Sequence, residues 1–289
     1  MSSKIAIAIV HGIGKQDKDF SKELQKNIEE QFVHLGGAQI AQDLIFAPVF
    51  WGPVLQKPET KLWKKLKTAG ILDYIPLRQF LVDFAADAIA YQPVAGERHI
   101  YDAIHRILAK TLHRLSQKTG SAAPLCVIAH SLGTVIASNF FYDLQQHFEK
   151  KRKIIPALIL KEIKNSPLEQ GKTLSLFYTL GSPLALWSLR FPDFGVPLDI
   201  PAPGLTQTLP QLKGEWINVY DRDDMIGFPL KNLNRAYHRA VTEDLEINVG
   251  GILTRWNPAA HAEYWTDQDV AKKIAQGLFR MWYRLQKGR

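Results

Sequence analysis

One cysteine and three methionines in 289 residues leave little sulfur chemistry to work with. Cys126 has no partner for an internal disulfide, so a disulfide scaffold is excluded, and its place inside the apolar run "PLCVIAH" reads as a small core residue. Long hydrophobic runs are also missing. The N-terminal stretch 5–10 is too short for a secretion signal and far too short to span a bilayer, so a cytoplasmic, reducing setting is expected. No repeat, low-complexity tract or composition break marks a linker. There is no His-Glu-x-x-His, and His99, His105 and His113 stand at spacings that share no ligand geometry, so no metal site is expected. Nor is there a Gly-x-Gly-x-x-Gly, and "HGIGKQ" lacks the spacing of a phosphate loop.

What is present is ordinary for a folded domain: 46% hydrophobic and 22% charged residues exclude disordered and fibrous classes. With no internal break, residues 1–289 read as a single domain. The net charge of +8 favours an anionic partner, and much of it sits in "KLWKKLK" (61–67) and "EKKRK" (149–153). With Trp63 as their one aromatic residue and no reading helix, these clusters make a poor nucleic-acid signature.

Apolar periodicity alternates between two and three to four residues. Runs 4–10, 43–52, 124–130, 173–182 and 215–221 read as buried strands, with "LEINVGGIL" (245–253) as a last strand candidate. Leu24, Ile28, Phe32 and Leu35 predict a first helix, and Ile100 through Leu115 a second. A third runs from Leu132 to Phe148, and a fourth from Val270 to Leu285. Residues 53–96 look like a helical insertion, with Leu77, Leu81, Phe84 and Ala88 at helical spacing, and 183–214 is a long Pro- and Gly-rich loop. Strands alternating with helices predict an α/β fold with a mostly parallel central sheet covered on both faces.

In such sheets ligands bind beyond the C-terminal strand ends. The polar residues found there are His11-Gly12, His130-Ser131, Gly181-Ser182 and the aspartates of 221–224, with His261 on a loop after the last strand candidate. A serine nucleophile needs a base, the base needs a partner that fixes its tautomer, and the oxyanion needs fixed donors; this set supplies each. Ala129-His130-Ser131-Leu132-Gly133 has small residues two positions either side of the serine, as a tight strand-to-helix turn requires. A helix N-cap would explain Ser131 alone. It would not explain Ala129, Gly133 or the polar residues at the other strand ends.

"VHGIG" (10–14), "AHSLGT" (129–134), "TLGSPL" (179–184), "VYDRDDMIGFPL" (219–230) and "HAEYW" (261–265) resemble, in order and rough spacing, the lipase and esterase-like serine hydrolase branch of the α/β-hydrolase superfamily. The resemblance covers nearly the whole chain apart from 53–96 and 185–213. It implies an α/β-hydrolase fold with 53–96 as a helical lid or cap. It also implies a triad of Ser131, an aspartate near 224 and His261. "DRDDMI" puts Asp224 on the family's second aspartate, with Asp221, which ends its strand, as the runner-up; His130 and His238 compete with His261. Backbone N–H groups of Gly12 or Ile13, together with that of Leu132, would form the oxyanion hole. Ala129 and Thr134 stand where the family usually has glycine.

The implied activity is cleavage of a carboxylic ester, a lipid or other acyl ester among the candidates, without a cofactor. Trp63 with Lys61, Lys64, Lys65 and Lys67 would dock an anionic membrane surface or an acidic acyl substrate. Two other classes fit the same residues: an acyltransferase or thioesterase on the same triad, and a non-catalytic binding protein that kept the fold.

Overall fold

A computed structural model describes residues 4–13, 16–55, 65, 85–93, 98–249 and 260–288. Its strands are β1 (Ile5–Val10), β2 (Leu44–Val49), β3 (Leu125–His130), β4 (Leu174–Leu180), β5 (Glu215–Tyr220) and β6 (Glu243–Glu246). They form one six-stranded sheet in the order β2-β1-β3-β4-β5-β6, and every pairing is parallel. The long helices are α1 (Lys22–Gly36), α2 (His99–Thr119), α3 (Leu132–Leu144) and α4 (Gln268–Lys287). The α/β class and the parallel sheet expected from the periodicity are what the chain forms. No helix among the described residues is long and apolar enough to cross a membrane.

Period two in the strands sorts side chains into two cores. Ala6, Ala8 and Val10 of β1 face the cluster shared with α2 and α3, whereas Ile5, Ile7 and Ile9 face α1 and α4. Cys126 points into the α1/α4 core, fully buried.

Three expectations differ from the structure. Leu24, Ile28 and Phe32 are buried, but Leu35 is 42% exposed. The series spaced by four continues to Gly36, where a side chain would collide with Ile40 and Phe279. The third helix does not run as a regular α-helix to Phe148, because Gln145–Glu149 forms a π turn. Among the described residues the last strand is Glu243–Glu246, so the 245–253 candidate is strand only at 245–246 and not at 247–249, while 250–253 lie outside the described residues. β6 is an edge strand, and polar contacts rather than apolar alternation fix it: the Asp244 carboxylate accepts from Asn218 Nδ2 (2.8 Å) and from the Leu230 and Lys231 N–H groups (both 2.9 Å).

The stretch 183–214 carries only short helical turns, at Leu184–Ser188, Pro192–Phe194 and Leu205–Thr208. Most of 53–96, including Trp63, Lys61, Lys64 and Lys67, lies outside the described residues, and so does its expected role as a lid; residues 85–91 are helical.

The strand order places the functional edge. From β1 the chain moves outward to β2 on one side, and from β3 it proceeds to β4 on the other, so the direction of winding reverses between the neighbours β1 and β3. The crevice beyond the C-terminal ends of two such strands is where open α/β sheets bind ligands. Gly12 follows β1 and Ser131 follows β3.

Candidate active site

Ser131 lies between β3 and α3 with φ 53° and ψ −133°. A positive φ is uncommon for a residue with a β-carbon and costs about 1–3 kcal/mol. Several contacts hold it there. The Ser131 N–H donates to Leu180 O on β4 (2.9 Å), and Ser131 O accepts from the Thr134 N–H (2.9 Å) and Thr134 Oγ1 (2.7 Å). Because the Thr134 hydroxyl spends its proton on Ser131 O, Ser182 Oγ must donate to Thr134 Oγ1 (2.8 Å) while accepting from the Leu184 N–H (3.3 Å). Thr134 therefore helps to fix the turn.

Neighbouring small residues are sterically required. A β-carbon at Gly133 would stand 2.3 Å from His11 O, and one at Gly12 2.5 Å from Ser131 Cβ. The loop after β1 and the start of α3 thus meet at the serine. Ser131 occupies the N-cap position but makes no capping bond, and its buried Oγ hydrogen-bonds no described residue.

His11 organises the loop after β1. Its Nε2 accepts from the N–H groups of Trp51 (3.1 Å) and Gly52 (3.2 Å), which places the ring proton on Nδ1, where it donates to Gly12 O (2.8 Å). Trp51 stacks on the imidazole at 4.7 Å, and burial lowers its pKa to about 4, against a contrary pull from the Gly12 carbonyl. With Gly12 O turned onto His11, the Ile13 N–H at the other end of the same trans peptide faces the opposite way. Leu132 opens α3, so its N–H has no carbonyl four residues back in the helix.

Asp224 sits in the turn after β5. His261, near the start of a 3₁₀ turn (Ala260–Trp265), donates from Nδ1 to both carboxylate oxygens, at 2.9 Å to Oδ2 and 3.0 Å to Oδ1. The Ile226 N–H donates to Oδ1 and Tyr264 Oη to Oδ2, both at 2.9 Å. Burial alone would raise the Asp224 pKa. The bonds from His261, Ile226 and Tyr264 outweigh it and hold the carboxyl below its ordinary range. Gly181, at φ +52°, lies under the pair: a β-carbon there would be 2.9 Å from Asp224 Oδ2 and 3.1 Å from His261 Cε1. Since Leu180 O holds the Ser131 N–H, the imidazole stands over the residue next to the serine's backbone anchor.

Asp221 has a different task. Its Oδ1 accepts from the Asp223 N–H (2.8 Å) and its Oδ2 from the Val249 N–H (2.6 Å), so it ties the turn to the segment after β6. His130 makes a main-chain contact with the His261 loop, and His238 lies in the short helix Arg235–Ala240. The structure therefore brings Asp224 and His261 together and joins Gly12 and Leu132 to Ser131.

Tyr264 was missed in the sequence beyond its aromatic character. Its signal is the spacing of three from His261, which aligns two side chains on one side of a 3₁₀ turn. A cavity of about 120 Å³ lies between α3 and the loop after β4, lined by Ser138, Asn139, Leu184, Trp187 and Phe191 among others. Ser138 is about 10 Å along α3 from Ser131, and neither Ser131, Asp224 nor His261 lines the cavity. No group of three His, Cys, Asp or Glu among the described residues is placed to hold a metal ion. No family model matches the chain, and no curated protein matches it significantly.

Buried neutral histidines make stability pH-dependent. Burial lowers the pKa of His11 from 6.5 to about 4 and that of His130 to about 3. The unfolded chain thus binds protons that the folded chain excludes. Their contribution is complete above about pH 6.5 and shrinks as pH falls toward the folded values, by up to about 1.4 kcal/mol per pH unit for each group. Asp143, pushed by burial up to about 6, works the other way below pH 6. Burial also holds His105 well below its ordinary value and adds a loss of the same sign, so urea unfolding at pH 7.5 and pH 5.0 is expected to show a net loss of at least about 3 kcal/mol at the lower pH. Equal or greater stability at pH 5.0 would contradict neutral burial.

Proposed function

We propose that the chain is a serine hydrolase of the α/β-hydrolase fold that cleaves a carboxylic ester through Ser131, His261 and Asp224. The observation that carries this reading is Ser131 itself: a buried serine at positive φ on the strand-to-helix turn at the switch point, with a hydroxyl that bonds no described residue. Backbone strain and a desolvated hydroxyl both destabilise the fold, and a structural serine has no use for either.

In this reading Ser131 Oγ attacks the ester carbonyl while His261 Nε2 takes its proton. The carbon–oxygen bond to the leaving alcohol breaks as His261 returns that proton to it, leaving an acyl group on Ser131. Water then repeats the sequence and releases the acid. Asp224 keeps the proton on Nδ1, so that Nε2 is the basic nitrogen, and offsets the charge of the imidazolium. The Leu132 N–H and the N–H groups of the Gly12–Ile13 loop supply the oxyanion donors.

The test is covalent labelling with an alkyl fluorophosphonate, which bonds phosphorus to the serine oxygen and expels fluoride. Peptide mapping is expected to find the adduct on Ser131. Ser131 is fully buried, so the probe reaches it only after an opening motion, and the labelling rate is expected to saturate with probe concentration. An unlabelled folded chain would remove the hydrolase reading; an adduct on another serine would remove Ser131 as nucleophile.

A further inference from the structure

We propose that His130, the residue before Ser131, is a positioning residue that sets the distance between nucleophile and base by holding the main chain of His261. The proposal rests on the hydrolase reading above. Its observation is a bond between two residues 131 positions apart: His130 Nε2–H donates to His261 O at 2.6 Å, inside the buried site. The rings of His130 and His261 lie 4.7 Å apart at a tilt of 37°, and His130 also packs on Trp265 and Tyr264 at 5.2 and 5.7 Å.

A base must be fixed at both ends to present one nitrogen to one oxygen. The Asp224 carboxylate fixes the imidazole of His261 through Nδ1, and Tyr264 Oη ties the far end of the same 3₁₀ turn to that carboxylate. The His130 bond holds the main chain at His261 itself, and it does so from the residue covalently joined to the nucleophile. The path from Ser131 to the backbone of His261 is thus one peptide bond, one side chain and one hydrogen bond.

The charge state suits the role. Burial first, and the neighbouring His261 next, keep His130 neutral, with a pKa lowered to about 3. Its Nε2 proton therefore serves as a donor throughout the cycle, and no second cation stands beside the imidazolium that forms on His261. On the other side, His130 Nδ1 faces Gly12, where a β-carbon would come within 3.2 Å. One ring thereby packs against the loop after β1 while bonding the loop that carries the base.

The experiment compares His130→Gln, whose amide N–H can reach the same carbonyl, with His130→Met, similar in length but without a donor. The readout is the second-order rate constant for fluorophosphonate labelling at low probe concentration, with circular dichroism to confirm the fold. His130→Met is expected to label roughly 10- to 100-fold more slowly than the native chain, as a base displaced by about 1 Å would, and His130→Gln to recover to within about threefold of it. If His130→Met does not fold, His130→Phe, which keeps a ring, takes its place. A native rate in the donor-less variant overturns the proposal, as does an equal loss in both variants, since ring packing and not the bond would then matter. Absence of labelling in the native chain overturns the hydrolase reading, and the positioning role falls with it.

Discussion

Ser131→Ala is expected to lower kcat on any ester the chain cleaves by roughly 10⁵- to 10⁶-fold, while thermal stability stays level or rises. The two effects separate because the hydroxyl makes no bond to any described residue, so the folded state loses no contact with it. Removing an unsatisfied buried polar group relieves a desolvation penalty of about 1–3 kcal/mol. The strained turn itself persists, since alanine keeps the β-carbon and with it the cost of φ 53°. A helix-capping serine would behave in the opposite way, with activity kept and about 1 kcal/mol of stability lost. Steady-state hydrolysis over esters of rising chain length, with melting curves on the same preparations, checks both halves. A residual rate within tenfold of the native one would mean that another residue attacks the carbonyl.

The parts of this site that were legible in the sequence are those set by local pattern. β1, β3, β4 and β5 read as short apolar runs because a strand buried on both faces has no polar alternation to interrupt it. His11-Gly12 and Ser131 stood out because they follow such runs, whereas Asp224 was preferred to the strand-ending Asp221 through the resemblance of "DRDDMI" to the family's pattern. What was not legible depends on contacts between distant segments. The last strand candidate was "LEINVGGIL" (245–253). The ladder instead forms two residues earlier, where the Asp244 carboxylate gathers Asn218, Leu230 and Lys231. His11 stood out only as a strand-end polar residue, because its partners Trp51 and Gly52 follow the neighbouring strand, 40 residues on. Likewise, no spacing rule links His130 to a carbonyl 131 residues away.

Asp224→Asn and Asp221→Asn are expected to part cleanly, although three residues separate them. The first should cost roughly 10⁴-fold in kcat with little change in KM. An asparagine at 224 can still accept from the Ile226 N–H through its oxygen. Its amide then faces His261 Nδ1 and Tyr264 Oη, both of which donate to the native carboxylate. The imidazole answers by moving its proton to Nε2, where it can no longer accept from Ser131, and an imidazolium formed during attack has no carboxylate to offset it. At 221 the same change removes an acceptor from either the Asp223 or the Val249 N–H, neither of which touches His261. The expected loss there is about 1–3 kcal/mol of stability, with kcat kept within tenfold. Initial rates and urea midpoints for the pair distinguish the roles. A 10⁴-fold loss at Asp221, with activity kept at Asp224, would exchange the assignments, and equal small losses at both would leave His261 without a required acid partner and overturn the triad.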